Sequence, residues 1–282
     1  MTNDHAPGQP GDPDAADGCS RARPHVRFLH LYDQYLNIYA DRGNIAVLTR
    51  RLAWRGIDST VTGLAPGETF RPGDCDLIYV GGGQDRDQRM IAERMHADLK
   101  GPITDALAEG TALLAVCGGY QLLGHEYLDV SGTMQPGVGV FDLRTTAGDT
   151  RLIGNVAIEA QLPGLGERPS LTTTIVGFEN HAGRTHLGPE AQPLGRVVYG
   201  HGNDGTSGFE GSRRGVAVGT YLHGPLLPRN PELADWLLAA ALLHVGGSDA
   251  ATLIDQPLDA AIEALGARAH GVAVRRAKAE SR

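Results

Sequence analysis

The sequence predicts an α/β fold with a central, mostly parallel sheet, helices on both faces and added antiparallel strands. Three observations predict it. In the first half of the chain, short apolar runs alternate with amphipathic helical patterns, and this alternation is typical of parallel sheets covered by helices. One run, 112–116, is entirely apolar and leads directly into two glycines and a short helical pattern. After Leu128, strand-like runs punctuated by Gly and Pro replace the helices, which favours further strands, partly antiparallel.

The first half contains the alternating elements. The helix predicted over 42–54 places Ile45, Leu48 and Leu52 on one face and ends at Gly56. The helix over 85–100 is amphipathic, and Gln84 or Asp85 would cap it. Strands are predicted over 25–32, 58–62, 76–80 and 112–116, helices over 42–54, 85–100 and 103–109, and a loop over 33–41.

The second half has one strong helix, 231–244, whose apolar side includes Leu233, Leu237 and Leu243 and which ends at Gly246-Gly247. A further helix is predicted over 259–265, and the basic end past Ala267 is interpreted as a solvated helix or tail. Strands are predicted over 138–145, 152–160, 171–177, 196–199 and 215–221.

The domain organisation follows from composition. Residues 1–24 are rich in Gly, Pro, Asp and Ala without periodic apolar positions, which predicts a disordered tail. Residues 25–248 are expected to form one domain, followed over 249–282 by a C-terminal helical extension or tail. The sequence shows no repeats.

Charge and composition exclude several classes of function. The formal net charge is -8, with both signs scattered, which argues against a nucleic-acid surface. No apolar run is interpreted as a transmembrane segment, and the start lacks the features of a signal peptide. Three cysteines, Cys19, Cys75 and Cys117, are an odd number without paired spacing. We therefore expect a reduced, cytoplasmic compartment.

The candidate nucleophile is Cys117, which stands where the 112–116 strand turns into a helix. Such an elbow exposes a side chain at the carboxyl edge of a sheet. The following Gly118-Gly119 would allow close approach of the backbone, and the helix N-terminus favours the thiolate, the attacking species. The alternative is a buried core cysteine, which would not need two glycines after it.

A thiolate nucleophile needs a base, and His223 is the strongest candidate because it comes just after an apolar strand. A histidine that caps a local turn is the alternative, equally compatible with spacing alone. The triple glycine 81–83 also follows a strand, and its N–H groups together with that of Gly118 are candidates for an oxyanion hole. A flexible turn is the alternative for these glycines.

Other motifs do not indicate a site. Residues 200–205 match the dinucleotide pattern G-x-G-x-x-G, but no helical pattern follows them, so a glycine-rich loop is favoured. His181, His186, His201 and His223 lack the spacing of a zinc site, and no metal site is predicted. No P-loop sequence for ATP is present.

Taken together, the motifs resemble those of class I glutamine amidotransferases, and most closely those of the cobyric-acid-synthase-like branch. Within that branch, the similarity extends to the glutaminase subunits of lipid II isoglutaminyl synthases. It covers roughly residues 25 to 245. The residues that carry it are the elbow 117–121, the motif 81–85, the motif 151–155, the motif 177–185 and the late motif 221–225.

The resemblance implies a flavodoxin-like, three-layer fold and the hydrolysis of L-glutamine to glutamate and ammonia. Cys117 would be the nucleophile and His223 the base, and Arg151 would bind the glutamine α-carboxylate. Gly82 or Gly83, with Gly118, would form the oxyanion hole. Many members of the wider superfamily have an acid two residues after the histidine, but Pro225 occupies that position. A Cys–His dyad is therefore expected, with Glu179 and Glu210 left unassigned.

The resemblance also implies a partner. Ammonia would pass to a MurT-like Mur ligase subunit in a heterodimer, and that subunit would bind ATP and Mg²⁺. The ligase would amidate D-glutamate in the lipid II stem peptide to D-isoglutamine, a step of peptidoglycan synthesis. No cofactor is expected in this chain.

Three alternatives stay open at this point. The first is a cobyrinate-type amidotransferase, which usually carries a fused ATP-binding domain. The second is a stand-alone γ-glutamyl hydrolase, which would need no partner. The third is a catalytically inactive subunit that only binds and stabilises a ligase.

Overall fold

The computed structural model of the chain describes residues 24–36 and 42–280. It contains two six-stranded sheets. The strands of the first are β1 (His25–Leu31), β2 (Asp58–Leu64), β3 (Leu77–Val80), β4 (Ala112–Val116), β11 (Ser212–Arg214) and β12 (Ala217–Thr220). Their order in the sheet is β11-β12-β4-β3-β1-β2. All its pairs are parallel except β11 with β12. The parallel part has the flavodoxin-like order 2-1-3-4-5, so the predicted fold class is confirmed.

The second sheet is mostly antiparallel and is centred on a long hairpin of two strands. The predicted strands 138–145 and 152–160 are wrong as separate elements, because 143–162 is a single strand interrupted by a bulge. The strands are β5 (Glu126–Leu128), β6 (Met134–Pro136), β7 (Leu143–Leu162), β8 (Leu171–Leu187), β9 (Gly195–Tyr199) and β10 (Phe209–Glu210).

Helices connect and cover these strands. The helices of the first half are α1 (Arg42–Ala53), α2 (Asp85–Arg94), a π-helical turn (Met95–Leu99), α3 (Lys100–Ala108) and α4 (Gly118–Leu122). The predicted break between helices 85–100 and 103–109 is wrong, because the π-helical turn joins α2 to α3 without a gap. Pro102, which has no N–H to donate, is the third residue of α3, just after the π-helical turn.

The C-terminal third adds α5 (Pro231–Ala251), two 3₁₀ turns (Leu227–Arg229 and Thr252–Asp255) and α6 (Ala260–Glu280). The predicted stop at Gly246-Gly247 is confirmed, since both have non-helical backbone angles and Gly247 has φ 69°. The basic end is a helix rather than a tail. It is partly packed, because Ala273 and Ala277 are buried against the second sheet. The domain limits at 24/25 and 248/249 stay predictions. Residues 1–23 of the predicted tail over 1–24, and residues 37–41 of the predicted loop over 33–41, lie outside the described residues.

The core surrounds the parallel sheet. Every residue of β4 is fully buried, as are Leu233, Leu237 and Leu238 of α5. By length and composition alone, the stretch Pro231–Asp255 is long and apolar enough to cross a membrane. The core helix of a soluble protein has the same properties, so this is weak evidence for a membrane span, and the expectation of no such segment stays a prediction.

Candidate active site

Cys117 has the strained backbone expected of a nucleophile elbow. Its φ is 53° and its ψ is -110°, and among the described residues only Tyr32 shares a positive φ without being glycine. Such conformations cost about 1–3 kcal/mol and persist where surrounding bonds impose them. Here the Cys117 N–H donates to the Thr220 carbonyl at 2.8 Å, and the Cys117 carbonyl accepts from Gln121 N–H at 3.1 Å.

The two glycines after Cys117 are required by close packing on the triple-glycine loop. A Cβ at Gly119 would lie 2.6 Å from the Val80 carbonyl oxygen, and one at Gly118 would lie 2.9 Å from Gly83 N. The Gly119 N–H donates to the Gly81 carbonyl at 3.0 Å. The structure therefore brings Gly83 and Gly118 together beside Cys117, and Gly82 is buried in the same loop.

His223 lies after the carboxyl end of β12, the strand next to β4. In the parallel register, Thr220 is opposite Val116, so Cys117 and His223 leave the same sheet edge on neighbouring strands. A bridge to β8 fixes the histidine: His223 N–H donates to Phe178 O at 3.0 Å, and Phe178 N–H returns a bond at 3.2 Å. Burial, reinforced by the basic side chains of His181, Arg151 and Arg229, lowers the His223 pKa to about 4. An imidazole with this pKa is neutral at pH 7 and able to accept a proton.

A cavity of about 200 Å³ opens beside Cys117, and its wall also contains Gly83 and Arg151. Three of the residues predicted from the sequence therefore meet at one cavity. His223 is not one of the described residues that form the cavity wall. It is 2% exposed and lies within the protein at the sheet edge.

Arg151 reaches the cavity from the second sheet. It sits within the bulge that shifts the β7 register between Ala147 and Leu152, and bulges commonly redirect a side chain. Its Nε donates to Asn180 Oδ1 at 2.7 Å and its Nη2 to the Asn180 carbonyl at 2.6 Å. Asn180 also lines the cavity, so this pair of bonds orients the guanidinium at its wall.

Comparison with known proteins identifies the family. Residues 27–231 match the model of the CobB/CobQ-like glutamine amidotransferase domain. The chain belongs to this family. It is therefore a glutamine amidotransferase, and the elbow and the cavity belong to that domain.

Similar proteins include two subunits of one kind of enzyme. The chain is 38% identical over 221 residues to "Lipid II isoglutaminyl synthase (glutamine-hydrolyzing) subunit GatD" of Staphylococcus aureus strain N315, covering 78% of this chain and 86% of that protein. It is 37% identical to the subunit of the same name from Streptococcus pneumoniae strain R6, covering 79% and 83%. It is also 30% identical to the cobyric acid synthase of Pelotomaculum thermopropionicum, covering 66% of this chain but 38% of that longer protein.

The cavity has further polar side chains to which sequence analysis assigned no role. Gln121 follows Cys117 by four residues, one helical turn, and its Nε2 donates to the Tyr221 hydroxyl at 3.0 Å. The i, i+4 spacing was a usable signal for it. His181 lines the same wall, stacked on the Tyr221 ring at 3.6 Å. Gln88, on α2, also lines it, and no sequence signal marked this residue.

Glu179 and Glu210 are both fully buried, and neither belongs to the described cavity wall. Burial opposes ionisation of Glu179, but the His181 imidazole, 3.6 Å away, and hydrogen bonds from the His201 N–H and ring hold its pKa below the ordinary value. Burial raises the Glu210 pKa to about 8. Glu210 accepts from Tyr221 N–H at 2.7 Å and from the Thr220 hydroxyl, so it holds the segment before His223.

The glycine-rich loop 200–205 has a structural role that its dinucleotide-like pattern did not reveal. Its His201 and Gly202 N–H groups donate to the Glu179 carboxylate at 2.8 and 2.9 Å. An internal carboxylate thus occupies the donors that a phosphate would use in a dinucleotide fold. Within the described part of the chain, no group of three or more His, Cys, Asp or Glu side chains is placed to hold a metal ion.

Proposed function

We propose that this chain is the glutaminase subunit of a lipid II isoglutaminyl synthase. The single observation that carries the glutaminase chemistry is the strained Cys117 elbow, which opens on the cavity that also contains Arg151. The similarity over most of their length to the two GatD subunits supports the choice of lipid II pathway. The identity to the cobyric acid synthase is lower, 30% against 38% and 37% for the GatD subunits, so we favour the lipid II reaction.

In the proposed reaction, His223 accepts the Cys117 proton as the sulfur attacks the side-chain carbonyl carbon of glutamine. The negative charge that develops on the carbonyl oxygen is stabilised by N–H groups of Gly118 and of Gly83 or Gly82. Loss of one such donor typically costs about 2.7–4 kcal/mol of transition-state stabilisation. His223 then donates its proton to the departing nitrogen, which leaves as ammonia while a γ-glutamyl thioester remains.

Water completes the cycle. His223 takes a proton from water, the resulting hydroxide attacks the thioester carbon, and glutamate leaves as the Cys117 thiol is restored. Arg151 binds the α-carboxylate throughout. Because Asn180 accepts from its Nε and Nη2, the carboxylate would approach the opposite end of the guanidinium, at Nη1 and Nη2.

The ammonia is proposed to pass to a MurT-like Mur ligase subunit in a heterodimer. That subunit would bind ATP and Mg²⁺ and amidate the D-glutamate of the lipid II stem peptide to D-isoglutamine. We propose no cofactor in this chain. A catalytic thiol must stay reduced, so we propose a cytoplasmic location.

The test uses the complex of the full chain with its ligase subunit, supplied with lipid II, ATP and either glutamine or ammonium. Cys117→Ala should abolish glutamine-dependent amidation, by at least about 10³-fold, while ammonium restores product because the ligase is intact. A glutamine-like diazoketone should label Cys117 in the wild type. Amidation from glutamine by Cys117→Ala, or a wild-type chain that is never labelled, would contradict the proposal.

A further inference from the structure

Gln88 is buried at the junction of the two backbone segments that contain the proposed oxyanion donors. It lies on the first turns of α2, is 2% exposed and forms part of the cavity wall with Cys117. A Cβ on Gly118 would lie 2.5 Å from its Nε2, so its amide touches the elbow. Its Nε2 also donates to the Gly83 carbonyl at 3.0 Å.

This bond fixes which end of the Gln88 amide is the oxygen. The Gly83 carbonyl only accepts hydrogen bonds, so the NH₂ group must face it and Oε1 must face away. Among the described residues, no donor reaches Oε1 within hydrogen-bond distance. A buried acceptor without a donor is unfavourable and is usually satisfied by a ligand or water. Because Gln88 is part of the wall of the Cys117 cavity, a ligand bound there that has an N–H group is the donor we consider for Oε1.

The substrate of the proposed function has such a group at the reacting carbon. Once the glutamine carbonyl oxygen is directed at the N–H groups of Gly83 and Gly118, its amide NH₂ points away from them, within the same small cavity. We propose that Gln88 Oε1 accepts a hydrogen bond from this NH₂ group. Gln88 is then a specificity-determining residue that selects a substrate with a side-chain amide. This inference rests on the proposed glutaminase function.

The same contact would discriminate against the product. Glutamate has a carboxylate in place of the amide, so it has no proton to offer Oε1 and brings a negative charge to an acceptor oxygen. A site built to bind an N–H group rejects analogues that lack it, because the acceptor is left unpaired. Gln88 would therefore favour binding of glutamine and release of glutamate.

The experiment compares two substrates on each preparation of the full chain, alone and with its ligase subunit. One is L-glutamine and the other is L-glutamate γ-methyl ester, which keeps the carbonyl and the α-groups but has no amide N–H. Gln88→Met should lower kcat/KM for glutamine about 10- to 100-fold and change that for the ester less than about threefold. Because both rates come from one sample, their ratio does not depend on the folded fraction.

A matched control is available in β6. Gln135 is also buried, its Nε2 also donates to a protein oxygen (Asp129 Oδ2 at 3.2 Å), and its Oε1 also has no described donor. It is not part of the described Cys117 cavity wall. Gln135→Met should leave the glutamine-to-ester ratio unchanged. If Gln88→Met yields no folded protein, Gln88→Asn, one methylene shorter, should show the same fall in the ratio.

The outcomes distinguish failure of the proposed Gln88 role from failure of the proposed glutaminase function. If Gln88→Met lowers kcat/KM equally for both substrates, the inference is overturned and Gln88 is a positioning residue for Gly83. If kcat/KM stays at the wild-type value for both substrates, the inference is overturned as well. A wild-type chain that hydrolyses neither substrate and resists labelling at Cys117 would overturn the proposed function itself.

Discussion

The two edges of the parallel sheet each hold a cysteine and a histidine, yet their environments differ. At the amino edge, Cys75 precedes β3 and is 1% exposed, next to Asp76. Asp76 accepts two bonds from the Arg27 side chain and lies 3.1 Å from His244 Nδ1. Burial, with the charge of Asp76, raises the Cys75 pKa to about 12. This thiol is protonated and enclosed.

At the carboxyl edge, Cys117 has a positive φ and faces a cavity, and His223 follows the neighbouring strand β12. The comparison shows that residue type alone does not decide whether a cysteine is enclosed or faces a cavity. The carboxyl ends of parallel strands lead into loops that leave a crevice, whereas at the amino edge Asp76 is held by polar bonds with Arg27 and with His244 of α5.

The largest expected effect is on glutaminase activity when the histidine at each edge, His223 or His244, is replaced. His223→Asn should lower glutaminase kcat/KM by about 10²- to 10⁴-fold, the usual contribution of a general acid–base group. His244→Asn, at the other edge, should stay within about twofold of the wild type. Steady-state ammonia release measures both. Comparable losses in the two variants would show that the edges are not functionally distinct.

An intermediate effect concerns pH. His223 has a pKa lowered from 6.5 to about 4, so it is already neutral, and competent as a base, above about pH 5. The wild type should keep most of its pH 7 kcat/KM at pH 5.5, where a base with the ordinary pKa would retain about a tenth. A profile of kcat/KM from pH 4 to 8 checks this, and an acid limb centred at 6.5 would contradict the buried environment of His223.

The same shift has a consequence for stability. Because the folded-state pKa lies below the unfolded value, the unfolded chain takes up the proton first as the pH falls. The contribution of His223 to stability is therefore complete above about pH 6.5 and is lost between 6.5 and 4. His223→Asn should show a smaller fall in thermal midpoint over this interval than the wild type.

The smallest effect concerns Cys75. Cys75→Ala should destabilise the chain by about 1 kcal/mol, because it removes a small buried group. It should leave glutamine hydrolysis and labelling of Cys117 within about twofold. Thermal unfolding and the hydrolysis assay measure the two effects on one sample. A large loss of activity without unfolding would assign Cys75 a role that its enclosed position argues against.

Sequence patterns were sufficient where local physics dominates. The apolar run of β4, the Gly-Gly after Cys117 and the stop at Gly246-Gly247 were each predicted from residue type and spacing, and the structure has them. Sequence patterns were insufficient where the structure of a segment depends on pairing with a segment distant in the chain. The 143–162 strand was split into two in the prediction, because its bulge is stabilised by pairing with β8 rather than by its own residues.

The same distinction between local and distant determinants applies to the residues of the candidate site. By itself, the sequence determined the elbow, the strand that carries it and the glycines that allow close packing, since these depend on neighbours in the chain. The family resemblance implied that Arg151 belongs to the site of Cys117, but only the tertiary structure shows that it reaches this wall from a bulge in the second sheet and that Gln88 of α2 joins it. Side chains far apart in sequence meet through the register of two sheets, and no local propensity encodes which of them will meet.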